Sequence, residues 1–237
     1  MLTLADARQG LTALRRLLLP PVCLICGGSG RGRLDCCAGC EAGLPAAMPG
    51  CRRCGLELAD TVARCGHCQR RPPAFDRCRA GFAYRDEIES LVQRFKFRRD
   101  LAAGRLLAEL TARRLLAVGV QRPDALVPVP LHWRRLLWRG FNQSELLAAD
   151  LGRALGGIPV ERMLSRIRAT PAQSTLAAAR RRSNVQRAFR ALPGALQARS
   201  VALIDDVMTT GSTLNACARA LKQAGVDYVE VWVIARA

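Results

Sequence analysis

The stretch VALIDDVMTTGSTLNACARAL, Val201 to Leu221, decides the fold. Its apolar run, Val201 to Ile204, is short and bounded by polar residues, so it reads as a buried strand. The run stops at two adjacent carboxylates, Asp205 and Asp206. Four hydroxyls follow, Thr209, Thr210, Ser212 and Thr213, around Gly211. A helix then starts, Thr213 to Ala224, with Leu214, Cys217, Ala218 and Leu221 at core spacing. Backbone amides at a helix N-terminus favour a phosphate dianion, and hydroxyls donate to its oxygens. Gly211 lets the backbone come close. Two carboxylates would repel that phosphate unless they act elsewhere on the same ligand. Hydrogen bonding to a pair of ribose hydroxyls, directly or through Mg²⁺, is such a task. The string has no GK[ST], so it is not a Walker loop, and it is not GxGxxG. A hydroxyl helix cap by itself is common, but a cap alone does not account for the acidic pair and the four hydroxyls together.

Outward from this loop, strands alternate with helices. Strands are predicted over Arg79 to Tyr84, Ala125 to Val129, Val160 to Leu164 and Tyr228 to Ala235. Ile88 to Val118 is largely helical, and Asn142 to Leu155 presents Leu146, Leu147 and Leu151 on one face. The alternation predicts an α/β fold with a mainly parallel sheet and a ligand site at the carboxyl ends of its strands.

The first third of the chain is different. Of its eleven cysteines, all but Cys217 precede residue 80. The pairs Cys23/Cys26, Cys37/Cys40, Cys51/Cys54 and Cys65/Cys68 repeat the pattern C-x2-C-x10-C-x2-C. Each CxxC turn puts two thiolates on one side of a knuckle, and two knuckles complete a closed tetrahedral Zn²⁺ site. Gly27 and Gly55 follow Cys26 and Cys54, where a knuckle often needs a positive φ. Two structural zinc ions are therefore predicted. Pairing within each repeat is favoured over pairing across repeats because it closes shorter loops. Cys36 competes with Cys37 but lacks the spacing, His67 reads as a bystander, and Cys78 reads as a core thiol. RRPPAFD, Arg70 to Asp76, marks the boundary. The organisation is an N-terminal helix over 1–20, a double zinc ribbon over 21–75 and an α/β domain over 76–237.

The formal charge is +18, carried by arginine, with Lys96 and Lys222 the only lysines. Such a balance suits a polyanionic partner, and arginine-rich genomic composition is the plainer alternative. No apolar run reaches the length of a membrane span, and Arg15 and Arg16 interrupt the Leu11 to Leu19 stretch. With CxxC pairs reading as metal ligands in a reducing compartment, the chain is placed in the cytoplasm.

The Val201 to Leu221 string resembles the signature of type I phosphoribosyltransferases. The resemblance implies that Asp205 and Asp206 bind the ribose hydroxyls of phosphoribosyl pyrophosphate with Mg²⁺. It implies that Thr209, Thr210, Gly211, Ser212 and Thr213 bind the 5-phosphate. VPVPL, Val127 to Leu131, matches the place of the family's pyrophosphate loop, which brings in Pro130 and Leu131. RGFNQSELLA, with RATPAQSTLAAARRRSNVQRAF (Arg168 to Phe189), the zinc repeat and FKF around Lys96, narrows the likeness to the ComF family, including GntX-type proteins. Members combine a double zinc ribbon with a phosphoribosyltransferase-like domain, and some are tied to natural transformation and incoming single-stranded DNA.

In a catalytic version, pyrophosphate leaves C1 of the ribose through an oxocarbenium-like transition state, with Mg²⁺ and cations stabilising the leaving group. Arg139 is the preferred catalytic cation. Arg134 and Arg135 are further candidates near VPVPL, and Arg180, Arg181 and Arg182 fall in the segment of the family's mobile loop. Lys96 is a weaker candidate that could simply snorkel between its phenylalanines. Two functions fit: a phosphoribosyltransferase, or a non-catalytic module that senses phosphoribosyl pyrophosphate or contacts single-stranded DNA and DNA-uptake proteins. Ribose 5-phosphate is the smaller ligand that either would accept.

Overall fold

The computed structural model describes residues 20–131, 133, 136–137, 140–167, 188–192 and 198–237. The N-terminal helix, and the candidates Arg134, Arg135, Arg139, Arg180, Arg181 and Arg182, lie outside the described residues. The chain divides into two compact units, Met1–Leu44 and Pro45–Ala237.

The first unit brings Cys23, Cys26, Cys37 and Cys40 together, and its Leu34 is fully buried. A short helix, α1 (Ala38–Gly43), starts from the second knuckle, where Cys37 Sγ accepts from the Cys40 amide.

The second unit opens with the second cysteine set and a short helix, α2 (Gly66–Arg70). It continues through β1 (Arg77–Ala83), α3 (Asp86–Phe97), α4 (Leu101–Ala117), β2 (Ala125–Pro128), α5 (Gln143–Ala154), β3 (Leu164–Arg166), β4 (Phe189–Ala191), β5 (Ser200–Met208), α6 (Ser212–Gln223) and β6 (Tyr228–Arg236). Four strands form one sheet in the order β1-β6-β5-β2, and each neighbouring pair is parallel. Val201, Leu203, Val229, Val231 and Val233 pack with Leu214, Cys217, Ala218 and Leu221 of α6 on one face. The alternate residues Leu126, Ala202, Ile204 and Trp232 are equally buried, and α4 and α5 cover that side. Coverage of both faces explains why these strands read as unbroken apolar runs.

Three elements depart from the sequence expectations. The predicted helix over Ile88 to Val118 is two helices, broken where Arg99 takes φ +55° and Asp100 caps α4 by accepting from the Ala103 amide. Asp100 Oδ2 also accepts from both Nε and an Nη of Arg94, so local hydrogen bonding overrides a continuous apolar pattern. In place of a strand over Val160 to Leu164, Val160 makes a single parallel bridge to Leu126, and Leu164–Arg166 forms a small antiparallel pair with β4. Finally, β5 does not end at Ile204. Pairing with β6 carries it through both carboxylates to Met208, so Asp205 and Asp206 stand on the sheet itself.

The second cysteine set is built onto this sheet. The Arg52 carbonyl accepts from the Cys78 amide on β1 (3.2 Å). Arg236 at the end of β6 donates to the carbonyls of Cys54 (3.4 Å) and Met208 (3.1 Å). Arg53 reaches the carbonyls of Pro73 and Asp76, and Asn215 of α6 accepts from the Ala74 amide at 2.7 Å.

Candidate functional site

Each cysteine quartet comes from one repeat, so pairing is within the repeats. In both quartets all four sulfurs lie within 4.8 Å of one another. The Cys26–Cys37 and Cys54–Cys65 sulfur separations are both 3.8 Å. A tetrahedron with zinc–sulfur bonds of about 2.3 Å has edges of about 3.8 Å, so the cysteines fit the ion. The knuckles match in backbone as well. Gly27 and Gly55 have φ of +75° and +67° and donate to the carbonyls of Cys23 and Cys51. Cys36 is buried but outside the quartet, its thiol donating to the Cys37 carbonyl, and His67 is exposed. Cys78 is a core thiol against Met208 (3.7 Å). These are two zinc-ribbon sites, and their zinc is structural because four thiolates leave no open position.

The second site is a cleft of about 350 Å³ at the carboxyl end of the sheet. It is lined by Asp205, Asp206, Thr209 and Thr213, by Val129, Pro130 and Leu131 after β2, and by Asn142, Gln143 and Ser144 at the start of α5. Tyr84, Lys96, Phe97 and Arg166 complete the wall with Val207.

Its floor is organised by short-range hydrogen bonds. Ser144 Oγ donates to Asp205 Oδ1 at 3.0 Å, which ties the first turn of α5 to β5. Asn142 caps α5 by accepting from the Ser144 amide, while its Nδ2 donates to the Val129 carbonyl at 3.1 Å. The Lys96 ammonium lies 2.9 Å from Asp206 Oδ1. Burial, with the Asp206 charge second, pushes the Asp205 carboxyl up to about 7; Lys96 and hydrogen bonds from Asp206 N–H and Ser144 pull the other way. A carboxyl held up by burial in this way is stabilised in its charged form by a cation or hydroxyl donors arriving beside it.

At the rim, Gly211 takes φ +70° and occupies the cap position of α6, with no side-chain cap. A Cβ there would come within 2.9 Å of Met208 Cε. Thr210 and Ser212 share a hydrogen bond of 2.8 Å, and Thr210 Oγ1 also accepts from the Ser212 amide at the start of α6 at 3.4 Å. The turn thus presents amides and hydroxyls to an anion a few residues from the carboxylates.

Of the sequence candidates, the structure brings Asp205, Asp206, Thr209, Thr213, Pro130 and Leu131 to one cleft. Thr210, Gly211 and Ser212 shape the adjoining turn. Lys96 does more than snorkel: it pairs with Asp206. Sequence reasoning missed Asn142, Gln143, Ser144 and Arg166. The first three were legible only as the NQS inside RGFNQSELLA. Arg166, whose guanidinium lies 5.4 Å over the Phe189 ring, gave no local signal.

Residues 14–69 match the double zinc ribbon domain family. The chain is 36% identical over 210 residues to Competence protein F of Haemophilus influenzae, covering 85% of this chain and 90% of that one. It is 36% identical over 228 residues to DNA utilization protein YhgH of Escherichia coli, covering 93% and 99%. Competence protein ComFC of Bacillus subtilis is 31% identical over 147 residues, 62% of this chain and 58% of that one. Among solved structures, the B. subtilis glutamine phosphoribosylpyrophosphate amidotransferase is similar over 56% of this chain and 26% of its own, at 21% identity and a TM-score of 0.37. The purine phosphoribosyltransferase of Pyrococcus horikoshii covers 55% and 80%, at 16% identity and a TM-score of 0.34.

Proposed function

The chain belongs to the ComF family of competence proteins, and from that premise we propose that its cleft binds phosphoribosyl pyrophosphate with Mg²⁺ in a phosphoribosyltransferase-like manner. One observation carries the reading: a strand-end carboxylate pair and a hydroxyl-rich turn opening a helix belong to one cleft. Asp205 and Asp206 would take the ribose hydroxyls and hold Mg²⁺. The turn from Thr209 to Thr213 would take the 5-phosphate, and Pro130 and Leu131 would border the pyrophosphate. Bound Mg²⁺ supplies charge neutralisation at the pyrophosphate oxygens. Ser144 orients Asp205, and Lys96 holds Asp206 in place until the ligand arrives. Arg166 is a cation in the lining, and Arg139 keeps the role that the family string gives it.

Calorimetry with phosphoribosyl pyrophosphate and Mg²⁺ tests this. Binding is expected for the native chain and none for Asp205→Asn with Asp206→Asn; an unchanged dissociation constant in the double variant rules the ribose role out.

The charge of +18 favours a second, compatible activity in the cytoplasm, sequence-tolerant contact with single-stranded DNA, and one relative carries the name DNA utilization protein. Aromatic content is only 5%, so backbone contact outweighs stacking, and affinity should fall steeply with salt. Anisotropy of a labelled oligonucleotide at several salt concentrations checks it. Absence of binding at low salt would leave the charge to the cleft alone.

A further inference from the structure

We propose that Lys96 gates the acidic pair. Its ammonium keeps a free divalent cation off Asp206, and it gives way only when a phosphorylated sugar arrives with the cation and offers the lysine a new partner. The inference rests on the ribose-phosphate reading above and adds how that same site is regulated.

The two carboxylates are half engaged. Asp205 Oδ1 accepts from Ser144 Oγ and from the Asp206 amide, both at 3.0 Å. Asp206 Oδ1 accepts from the Val207 amide at 2.6 Å and faces the Lys96 ammonium at 2.9 Å. The second oxygen of each takes no hydrogen bond from the described residues. Open carboxylate oxygens are the hard donors that Mg²⁺ or Mn²⁺ takes in ones and twos alongside its own waters, so the residues fit such an ion. The cation that the fold itself brings to Asp206 is the chain's own lysine. Among the described residues Asp206 is the one salt-bridge partner of Lys96, and both side chains line the cleft.

The lysine is positioned by parts that owe nothing to the ion pair. It sits in the last turn of α3. Its neighbour Phe95 is 1% exposed, with its ring 5.7 Å from that of Phe141. A Cβ on Gly104 of α4 would come within 2.5 Å of the Phe95 ring, so the two helices are wedged together there. Beyond α3, Arg99 at φ +55° and the Arg94–Asp100 pair turn the chain. With the backbone fixed on both sides, movement falls to the methylenes of the lysine itself, and a change of partner leaves the helix where it is.

Residue type points the same way. Of 37 basic residues, all but Lys96 and Lys222 are arginine. An arginine here would grip a carboxylate with a planar fork, whereas lysine is a compact charge on a flexible stem with rotatable donors. It can pass from one oxygen to another. A free divalent ion at Asp206 would leave that ammonium in the cleft without a counter-charge, which offsets much of the ion's gain. Phosphate oxygens remove the penalty, because charge-assisted hydrogen bonds to them replace the lost pair. Cation and phosphorylated sugar then tighten one another, as linkage requires.

Calorimetry of the full, zinc-loaded chain tests the gate with Mn²⁺ alone and with phosphoribosyl pyrophosphate plus Mn²⁺. Asp205→Asn with Asp206→Asn supplies the background of Mn²⁺ binding elsewhere. Lys96→Met should bind Mn²⁺ alone roughly ten- to a hundredfold tighter than the native chain, with no matching gain for phosphoribosyl pyrophosphate. A lysine that merely propped the site would weaken both when lost. Arg98→Met removes an exposed charge from the same helix end and should leave Mn²⁺ binding unchanged, which separates the gate from the general field. Lys96→Arg keeps the charge should the methionine variant not fold. It should bind Mn²⁺ alone no tighter than the native chain, and phosphoribosyl pyrophosphate more weakly. Mn²⁺ bound no tighter by folded Lys96→Met, an equal gain in Arg98→Met, or native binding of phosphoribosyl pyrophosphate by Lys96→Arg overturns the gate. Each leaves the ribose-phosphate reading standing as long as the native chain binds phosphoribosyl pyrophosphate. No binding by the native chain removes that reading, and the hand-over with it.

Discussion

Replacing Lys96 by methionine removes the ammonium that faces the carboxylate pair and keeps an unbranched apolar stem. The pair with Asp206 spans 2.9 Å, and the two side chains are 19% and 13% exposed. Deleting one partner of a buried ion pair costs about 3–5 kcal/mol, whereas an exposed pair contributes about 1 kcal/mol or less. The remaining exposure places Lys96→Met near the lower bound, about 3 kcal/mol. For a domain of this size each kcal/mol moves the unfolding midpoint by about 2–4 °C, so a fall of about 6–12 °C is expected. Most of that loss comes from leaving Asp206 charged beside Asp205, not from the lysine itself. Adding Asp206→Asn should therefore recover most of it. Thermal and urea unfolding of the ligand-free, zinc-loaded chain at about pH 8, in a four-member mutant cycle, measures the coupling. A loss below about 1 kcal/mol, or strictly additive single effects, would show that the pair behaves as a surface contact and that the reasoning about the floor is wrong.

Other expectations are as direct. Metal analysis should find about two zinc ions per chain. Cys51→Ser with Cys54→Ser should lower that to about one and weaken ligand binding in the cleft, and Cys23→Ser with Cys26→Ser should lower the zinc equally. The Asp205 carboxyl, pushed up to about 7 by burial, keeps its proton in the folded chain over a range where the unfolded chain has lost it. Its contribution to stability is whole below about pH 4 and is lost as pH rises through about 7. Asp205→Asn should flatten that slope in pH-dependent unfolding and leave the variant more stable than the native chain at alkaline pH, though unable to bind. Gly211→Val forces a β-branched residue to φ +70° against Met208. It should cost about 1–2 kcal/mol and abolish phosphate-dependent binding without changing zinc content.

The parts of the fold legible in the sequence are those where one local signal dominates. The strands at Val201 and Tyr228 announce themselves because both faces are covered, and the zinc quartets because spacing alone sets knuckle geometry. Less visible are features that depend on partners far along the chain. Nothing local says that β5 runs on through two aspartates; pairing with β6 holds those residues extended. Ser144 looks like an ordinary first-turn residue until the fold brings it 3.0 Å from a carboxylate 61 positions away. Lys96 is ambiguous for the same reason, since snorkelling and ion pairing differ only in what stands opposite.

The two ribbons share their cysteine spacing, and the second is fastened to the parallel sheet. Behind the turn around Gly211, the Cys54 and Met208 carbonyls are clasped by one guanidinium, that of Arg236, and the Met208 side chain sets the room beside Gly211. The second ribbon is thus a keystone of the sheet's carboxyl end. In a population of variants the stretch from Cys51 to Cys68 should therefore change only in step with the ends of β5 and β6.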